Sequence, residues 1–196
     1  MCGINGVLAF NSKIKIEEKI IIEMRDTMVH RGPDGGGVWI ANDNSIGLGH
    51  RRLSIIDVSE IANQPMSNED DSIKIVFNGE IYNHADIRKE LEEKNKYKWK
   101  TDHSDTEVII HAYEEWGIEC IHKFRGMFAI ALWDSRLKEL WLIRDRLGIK
   151  PLYYSIDEDR VTFASEIKAL LKFPNQKREV NEDAFYHYLS LCQKRT

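Results

Sequence analysis

Long apolar runs are missing from this chain: the longest, Met127 to Trp133, has seven residues, far short of the roughly 18 that cross a bilayer. Positive charge is scarce too. Lys and Arg number 28 against 32 Asp and Glu, for a formal charge of -4 and a pI near 6.0. The basic clusters Arg51-Arg52, Lys94 to Lys100 and Lys194-Arg195 are short. No field is left to capture a phosphate backbone, so neither nucleic acid nor membrane is an expected partner. The N-terminus has no basic segment followed by an apolar stretch, so no signal peptide is read there. Cys2, Cys120 and Cys192 form an odd, widely spaced set of three, which argues against a disulfide framework and suits a reducing compartment. The expected location is cytoplasmic.

Metal and nucleotide signatures are also lacking. The seven histidines include no HxxxH or HExxH pattern, and Cys120-Ile121-His122 has no second pair of ligands, so no metal is expected. Gly35-Gly36-Gly37 lacks the Lys and Ser/Thr of a phosphate loop, and no SGG-type pyrophosphate loop occurs. ATP therefore has no visible site. No internal repeat or low-complexity segment is present.

What remains is a chain of 196 residues, 42% hydrophobic and 31% charged, long enough to bury one substantial core as a single domain. Gly3 to Phe10 reads as a strand, and Glu17 to Val29 as a helix with Ile20, Ile21, Met24 and Met28 at helical spacing. Val38 to Ala41, Ile46 to Gly49, Leu53 to Ile56 and Ile73 to Phe77 read as strands. Asn83 opens a helix with Ile87 and Leu91 on its core face. Ser104 and Glu107 form a capping-box pattern before a helix that carries Val108, Ala112 and Trp116 and stops at Gly117. A second β block follows, with strands at Met127 to Trp133, Glu139 to Ile143, Leu152 to Ile156 and Arg160 to Phe163. Ser165 to Leu171 and Glu182 to Leu191 return to helix. Strands, helices, strands and helices in this order predict an α+β layered fold and not a regular βαβ winding. The segment Phe185 to Cys192 is apolar and ends abruptly, as though the chain were cut before a natural end.

Cys2 carries the sharpest chemical signal. Removal of one residue would make it an N-terminal thiol with its own α-amine, whose ordinary pKa of about 8 lets it take and return a proton. Around it stand polar clusters at predicted strand ends and loops: Arg31-Gly32-Pro33-Asp34, Arg52 to Asp57, Asn78-Gly79-Glu80, Ser104 to Glu107, and Arg144 to Gly148. Each has a plain structural reading. Asn78-Gly79 between apolar runs is a type I′ hairpin signal, and Arg52 suits a solvated edge strand. Asp105 suits the first turn of a helix. Arg31, Asp34, Arg144, Asp145 and Arg146 suit structural ion pairs, and Ser165-Glu166 a helix cap.

The start Met1-Cys2-Gly3-Ile4, with RGPD, RLSIID, QPM, FNGEIYN, SDTE, GMFAIALWD, RDRLGIKPLYY and FASEIKAL in that order, resembles the class II glutamine amidotransferase domain of glutamine-hydrolysing asparagine synthetases. The resemblance runs over almost the whole chain. It implies a four-layer αββα sandwich of the N-terminal nucleophile hydrolase type, with two antiparallel sheets drawn from the two β blocks. It further implies that the Cys2 thiol attacks the carboxamide of L-glutamine, releasing ammonia through a thioester. By the same resemblance Asn78 and Gly79 donate to the oxyanion, and Arg52 binds the substrate carboxylate. Leu53, Ser54, Ile55 and Ile56 line the pocket, while Glu80 and Asp105 hold the α-ammonium. The RGPD loop is expected near the active site and RDRLGIKP around the core. No cofactor is implied here; ATP and Mg belong to a separate ATP-dependent synthetase domain of the same polypeptide, absent from this chain. That domain is the expected partner besides glutamine, with Met127 and the segment Phe185 to Cys192 as the docking surface, and a homodimer is allowed for. Two other readings are a silent docking domain and an amidase of a different substrate or acceptor.

Overall fold

The computed structural model describes residues 1–53 and 63–193. Its nine strands and five α-helices among the described residues run β1 (Gly3–Ala9), α1 (Glu18–Asp26), β2 (Gly35–Ile40), β3 (Ile46–Arg52), β4 (Met66–Ser67), β5 (Ile73–Ile81), α2 (His84–Glu92), α3 (Asp105–Trp116), β6 (Gly126–Asp134), β7 (Glu139–Arg144), β8 (Tyr153–Ile156), β9 (Arg160–Ala164), α4 (Ile167–Leu170) and α5 (Glu182–Gln193). One sheet has the order β2-β3-β1-β9-β8 and the other β4-β5-β6-β7, with every pairing antiparallel. Each sheet draws strands from both halves of the chain, because β9 returns to pair with β1 and carries β8 on its outer side, while β5 pairs with β6.

The central strands are buried on both faces, and strand alternation sorts their side chains into two cores. In β6, Phe128, Ile130 and Leu132 pack with α2 and α3 residues such as Ile87, Leu91, Val108 and Ala112. Ala129, Ala131 and Trp133 face the other way, between the sheets, against Ile4, Ile46, Leu48 and Phe163. In β1, Val7 and Ala9 pack against Ile21 and Met24 of α1. The result is helix, sheet, sheet, helix. This is the four-layer αββα arrangement, and it explains why β6 reads as one continuous apolar run: neither face meets water. Each Val, Leu, Ile, Met or Phe among them, fully buried, contributes on the order of 1.5–3 kcal/mol.

Local signals were partly redirected by packing. The first helix ends at Asp26, and Met28 is buried in the turn that follows it. Ser104 does open α3, but the capping box is not made. Glu107 instead accepts from Lys100 N (2.7 Å), Thr101 N (2.9 Å) and the Thr101 hydroxyl, tying down the segment before the helix. Gly117 ends α3 at φ +57°, where a side chain would be strained. Ser165 does not cap α4: its hydroxyl accepts from Ile4 N at 3.0 Å, and the helix shrinks to Ile167–Leu170. Leu53 lies just beyond β3, and the rest of the strand expected to Ile56 falls outside the described residues. In α5, Phe185, Tyr186, Tyr188 and Leu189 are exposed.

Candidate active site

One end of the gap between the sheets turns from core to polar site along the strands themselves. On β3 the inward positions are Ile46, Leu48, His50 and Arg52, the first two in the inter-sheet core and the last two lining a cavity. On β5 they are Val76, Asn78 and Glu80, and on β6 Trp133, Ala131, Ala129 and Met127. Cys2, one step before β1, continues the face of Ile4. The same period of two that packs the core therefore delivers Cys2, His50, Arg52, Asn78, Glu80 and Met127 to one cavity of about 150 Å³.

The backbone of β5 supplies the second half of the site. β4 pairs with β5 only at Ile75 and Lys74, so among the described residues no strand covers this edge of β5 beyond them. Three side chains occupy it. Gln64 Oε1 accepts from Phe77 N (2.6 Å), His50 Nε2 meets Phe77 O (3.2 Å), and Asp105 Oδ2 accepts from Ile81 N (3.1 Å). Alternation puts the peptide groups of Gly79 on the same edge, between these clasped positions, at the cavity wall. A Cβ on Gly79 would collide with Met127 O and sit 2.7 Å from Phe128 Cα, so no side chain fits. Asn78 is 1% exposed and its side-chain nitrogen has no partner. A buried donor left unsatisfied costs roughly 1–3 kcal/mol, a cost that a cavity-bound acceptor would remove.

Cys2 sits across from this edge. Its Sγ lies 3.4 Å from Leu53 N, which donates to it, and 3.7 Å from Leu53 O. Arg31 Nε donates to Cys2 O at 3.0 Å, and its Nη1 reaches Glu166 at 3.2 Å. Arg52 Nη1 donates to Asn63 Oδ1 at 2.6 Å. Asp105, at the first position of α3, is 9% exposed. Burial raises its carboxyl above the ordinary range, against the lowering effect of the Ile81 N–H, and the charge of Glu80 adds to the rise. Such a carboxylate gains from a cation in the cavity. Ser54, Ile55 and Ile56 lie outside the described residues.

Asn78-Gly79 is not a hairpin, since both residues lie inside β5 opposite Ala129 and Phe128. Nor do Arg144, Asp145 and Arg146 pair with one another. Asp145 accepts from the backbone of Phe128, Leu147, Ile149 and Lys150, while Arg144 donates to Lys150 O and Gly148 O and Arg146 to Phe124 O. They clasp a loop whose next residue, the 6% exposed Lys150, lines the cavity with its Nζ 3.5 Å from Met1 Sδ. Gln64 and Lys150 stand in the QPM and RDRLGIKPLYY motifs without a role attached to them, and His50 lies outside the motifs. His50 had a usable signal, its place in the alternation Ile46, Leu48, His50, Arg52.

An α+β sandwich of two antiparallel sheets, with a cysteine at the head of the first strand facing the inter-sheet gap, defines an N-terminal nucleophile type of architecture. The chain has that fold in common with the glutamine phosphoribosylpyrophosphate amidotransferase of B. subtilis, at a TM-score of 0.70, 18% identity, 86% of this chain and 43% of that one. The family model described as "Glutamine amidotransferase domain" matches residues 1–196, and the chain belongs to that family. Among curated proteins it is similar to two from Bacillus subtilis (strain 168). It is 45% identical to "Asparagine synthetase [glutamine-hydrolyzing] 1" over 97% of its length, and 38% identical to "Asparagine synthetase [glutamine-hydrolyzing] 3" over all of it. The chain spans about three tenths of each, 29% and 31% respectively. Among the described residues, no helix is long and apolar enough to cross a membrane.

Proposed function

We propose that this domain hydrolyses L-glutamine to L-glutamate and ammonia through a Cys2 thioester. The observation that carries this reading is one small cavity lined by a thiol, a buried side-chain donor without a partner, and the glycine that follows that donor in the strand. Once Met1 is removed, the Cys2 α-amine takes the thiol proton and the sulfur bonds to the substrate Cδ. The carbonyl oxygen gains negative charge between Asn78 Nδ2 and Gly79 N–H. Collapse breaks the C–N bond and ammonia leaves with the returned proton. Water then adds to the thioester, the C–S bond breaks, and glutamate departs. Thiol, amine and water balance the reaction, so this domain needs no cofactor.

Arg52 presents a planar fork suited to the α-carboxylate, while Asp105 and Glu80 provide charge for the α-ammonium, with the Leu53 backbone beside them. From the relatives' names and the resemblance of the motifs we propose further that an ATP-dependent synthetase portion consumes the ammonia to make asparagine, and the cysteine usage supports a reducing, cytoplasmic setting. The direct test is ammonia release from glutamine by protein whose mass shows Met1 removed, with and without Cys2→Ala. Loss of turnover in the variant is expected; retained turnover overturns the reading.

A further inference from the structure

Two buried side chains that touch neither thiol nor amine hold the peptide unit just before the donors. His50 is 1% exposed and Gln64 8% exposed. They come from different parts of the chain, β3 and the segment before β4, and grip Phe77 from both ends of its residue: Gln64 Oε1 accepts from its N–H and His50 donates to its C=O. A carbonyl can only accept, so the proton of His50 is on Nε2. Burial holds the pKa of His50 down at about 3, and the neutral tautomer persists across any working pH. Gln64 is itself oriented by donating to Thr106 Oγ1 at 3.2 Å, in the first turn of α3. Where β4 would otherwise have continued pairing, these two side chains replace the missing strand.

The consequence reaches the next two residues. Asn78 and Gly79 follow Phe77 directly, and the next fixed point on that edge is Ile81 N, held by Asp105. We propose that His50 and Gln64 are positioning residues, which lock the Phe77 peptide and thereby aim the Asn78 side chain and the Gly79 N–H at the oxyanion. His50 also ties the sheet that carries Cys2 to the sheet that carries the donors, so the clasp sets the distance between nucleophile and oxyanion site. This rests on the glutaminase reading above and deepens it.

The test compares His50→Leu, which keeps volume and loses the donor, with His50→Gln, whose Nε2 can reach the same carbonyl. In the Met1-processed chain His50→Leu lowers kcat by roughly 10- to 100-fold, as expected for a misaimed constellation. KM for glutamine stays within about threefold, because Arg52, Glu80 and Asp105, proposed to hold the α-carboxylate and α-ammonium, are unchanged. His50→Gln recovers most of kcat. Affinity for L-glutamate γ-semialdehyde, which forms a tetrahedral adduct with the thiol, falls in parallel with kcat, while affinity for L-glutamate does not. Gln64→Met, expected to show the same kcat-only pattern, carries the test if His50→Leu fails to fold. An unchanged kcat, an effect confined to KM, equal losses in His50→Leu and His50→Gln, or undiminished aldehyde affinity overturns the proposal. Cys2→Ala is assayed alongside: activity without the thiol removes the glutaminase reading itself, whereas an inactive Cys2→Ala with a fully active His50→Leu removes only the clasp.

Discussion

Replacing Asn78 by alanine separates a functional donor from a structural one, because the two roles predict opposite signs of stability change. Asn78 is buried at the wall of a cavity, and its side-chain nitrogen meets no acceptor. An ordinary buried amide that bonds its neighbours costs stability when truncated. Here the truncation removes an unsatisfied group that costs roughly 1–3 kcal/mol to bury. It also enlarges a space already open to water, so the penalty of a dry void is small. The thermal midpoint of Asn78→Ala should therefore equal or exceed that of the parent. Catalysis should move the other way. Removal of one oxyanion donor typically costs 100- to 1000-fold in kcat, or about 2.7–4 kcal/mol of transition-state stabilisation. KM should change little, since the ground-state carbonyl is not yet charged. Glutaminase kinetics and calorimetry on one preparation measure both. A kcat within about threefold of the parent refutes the oxyanion role, and a large fall in the midpoint would show that Asn78 is bonded in a way its surroundings do not suggest.

Arg52→Ala and Asp105→Asn should act mainly on KM for glutamine, which steady-state kinetics will separate from kcat. Asp105→Asn should also stabilise the unliganded protein at neutral pH. The carboxyl is raised by burial, so its charge costs stability above that pKa, and the parent regains it as pH falls; the gain seen by calorimetry should shrink on acidification. His111 has its pKa lowered by burial, but the carboxylates of Glu107 and Glu114 outweigh this and push it up to about 9. Its contribution should be complete below pH 6.5 and lost as pH rises toward 9, and His111→Gln should flatten that alkaline decline in the midpoint. Finally, alkylation with peptide mapping should label Cys2 and spare Cys120, whose buried thiol is pushed up to about 12.

Most of the fold was legible because its patterns are local. The clean run Ile73, Ile75, Phe77 places those residues on the helix-facing side of β5, and the turn residues Asp134-Ser135 and Asp157 to Asp159 end strands where expected. Which strand joins which sheet was not legible, since β9 pairs with β1 across about 150 residues, with β8 added on its far side, and no short-range signal encodes that. The capping box failed for a related reason. Ser104 and Glu107 have the right spacing, but Glu107 finds three better donors in Lys100 and Thr101, which are brought close by the packing of Trp99 and Tyr97 on His111. Local propensity names the competitors; tertiary contact chooses among them.

The site divides along the same line. Cys2, Arg52, Asn78 and Asp105 were readable as an ordered set of polar motifs, and the fold brings them to one cavity. His50 was not, and Gln64 stood only as the first residue of QPM with no role attached, because their bonds to Phe77 arise only where β4 stops short and leaves Phe77 N and O without a strand. An open sheet edge inside a protein is normally a fault, with buried peptide groups lacking partners. Here side chains close the edge at Phe77 and Ile81, on either side of Gly79. In the proposed reaction the Gly79 N–H is the donor that this edge supplies, and the bonds to Phe77 and Ile81 on either side of it are what would hold it in place.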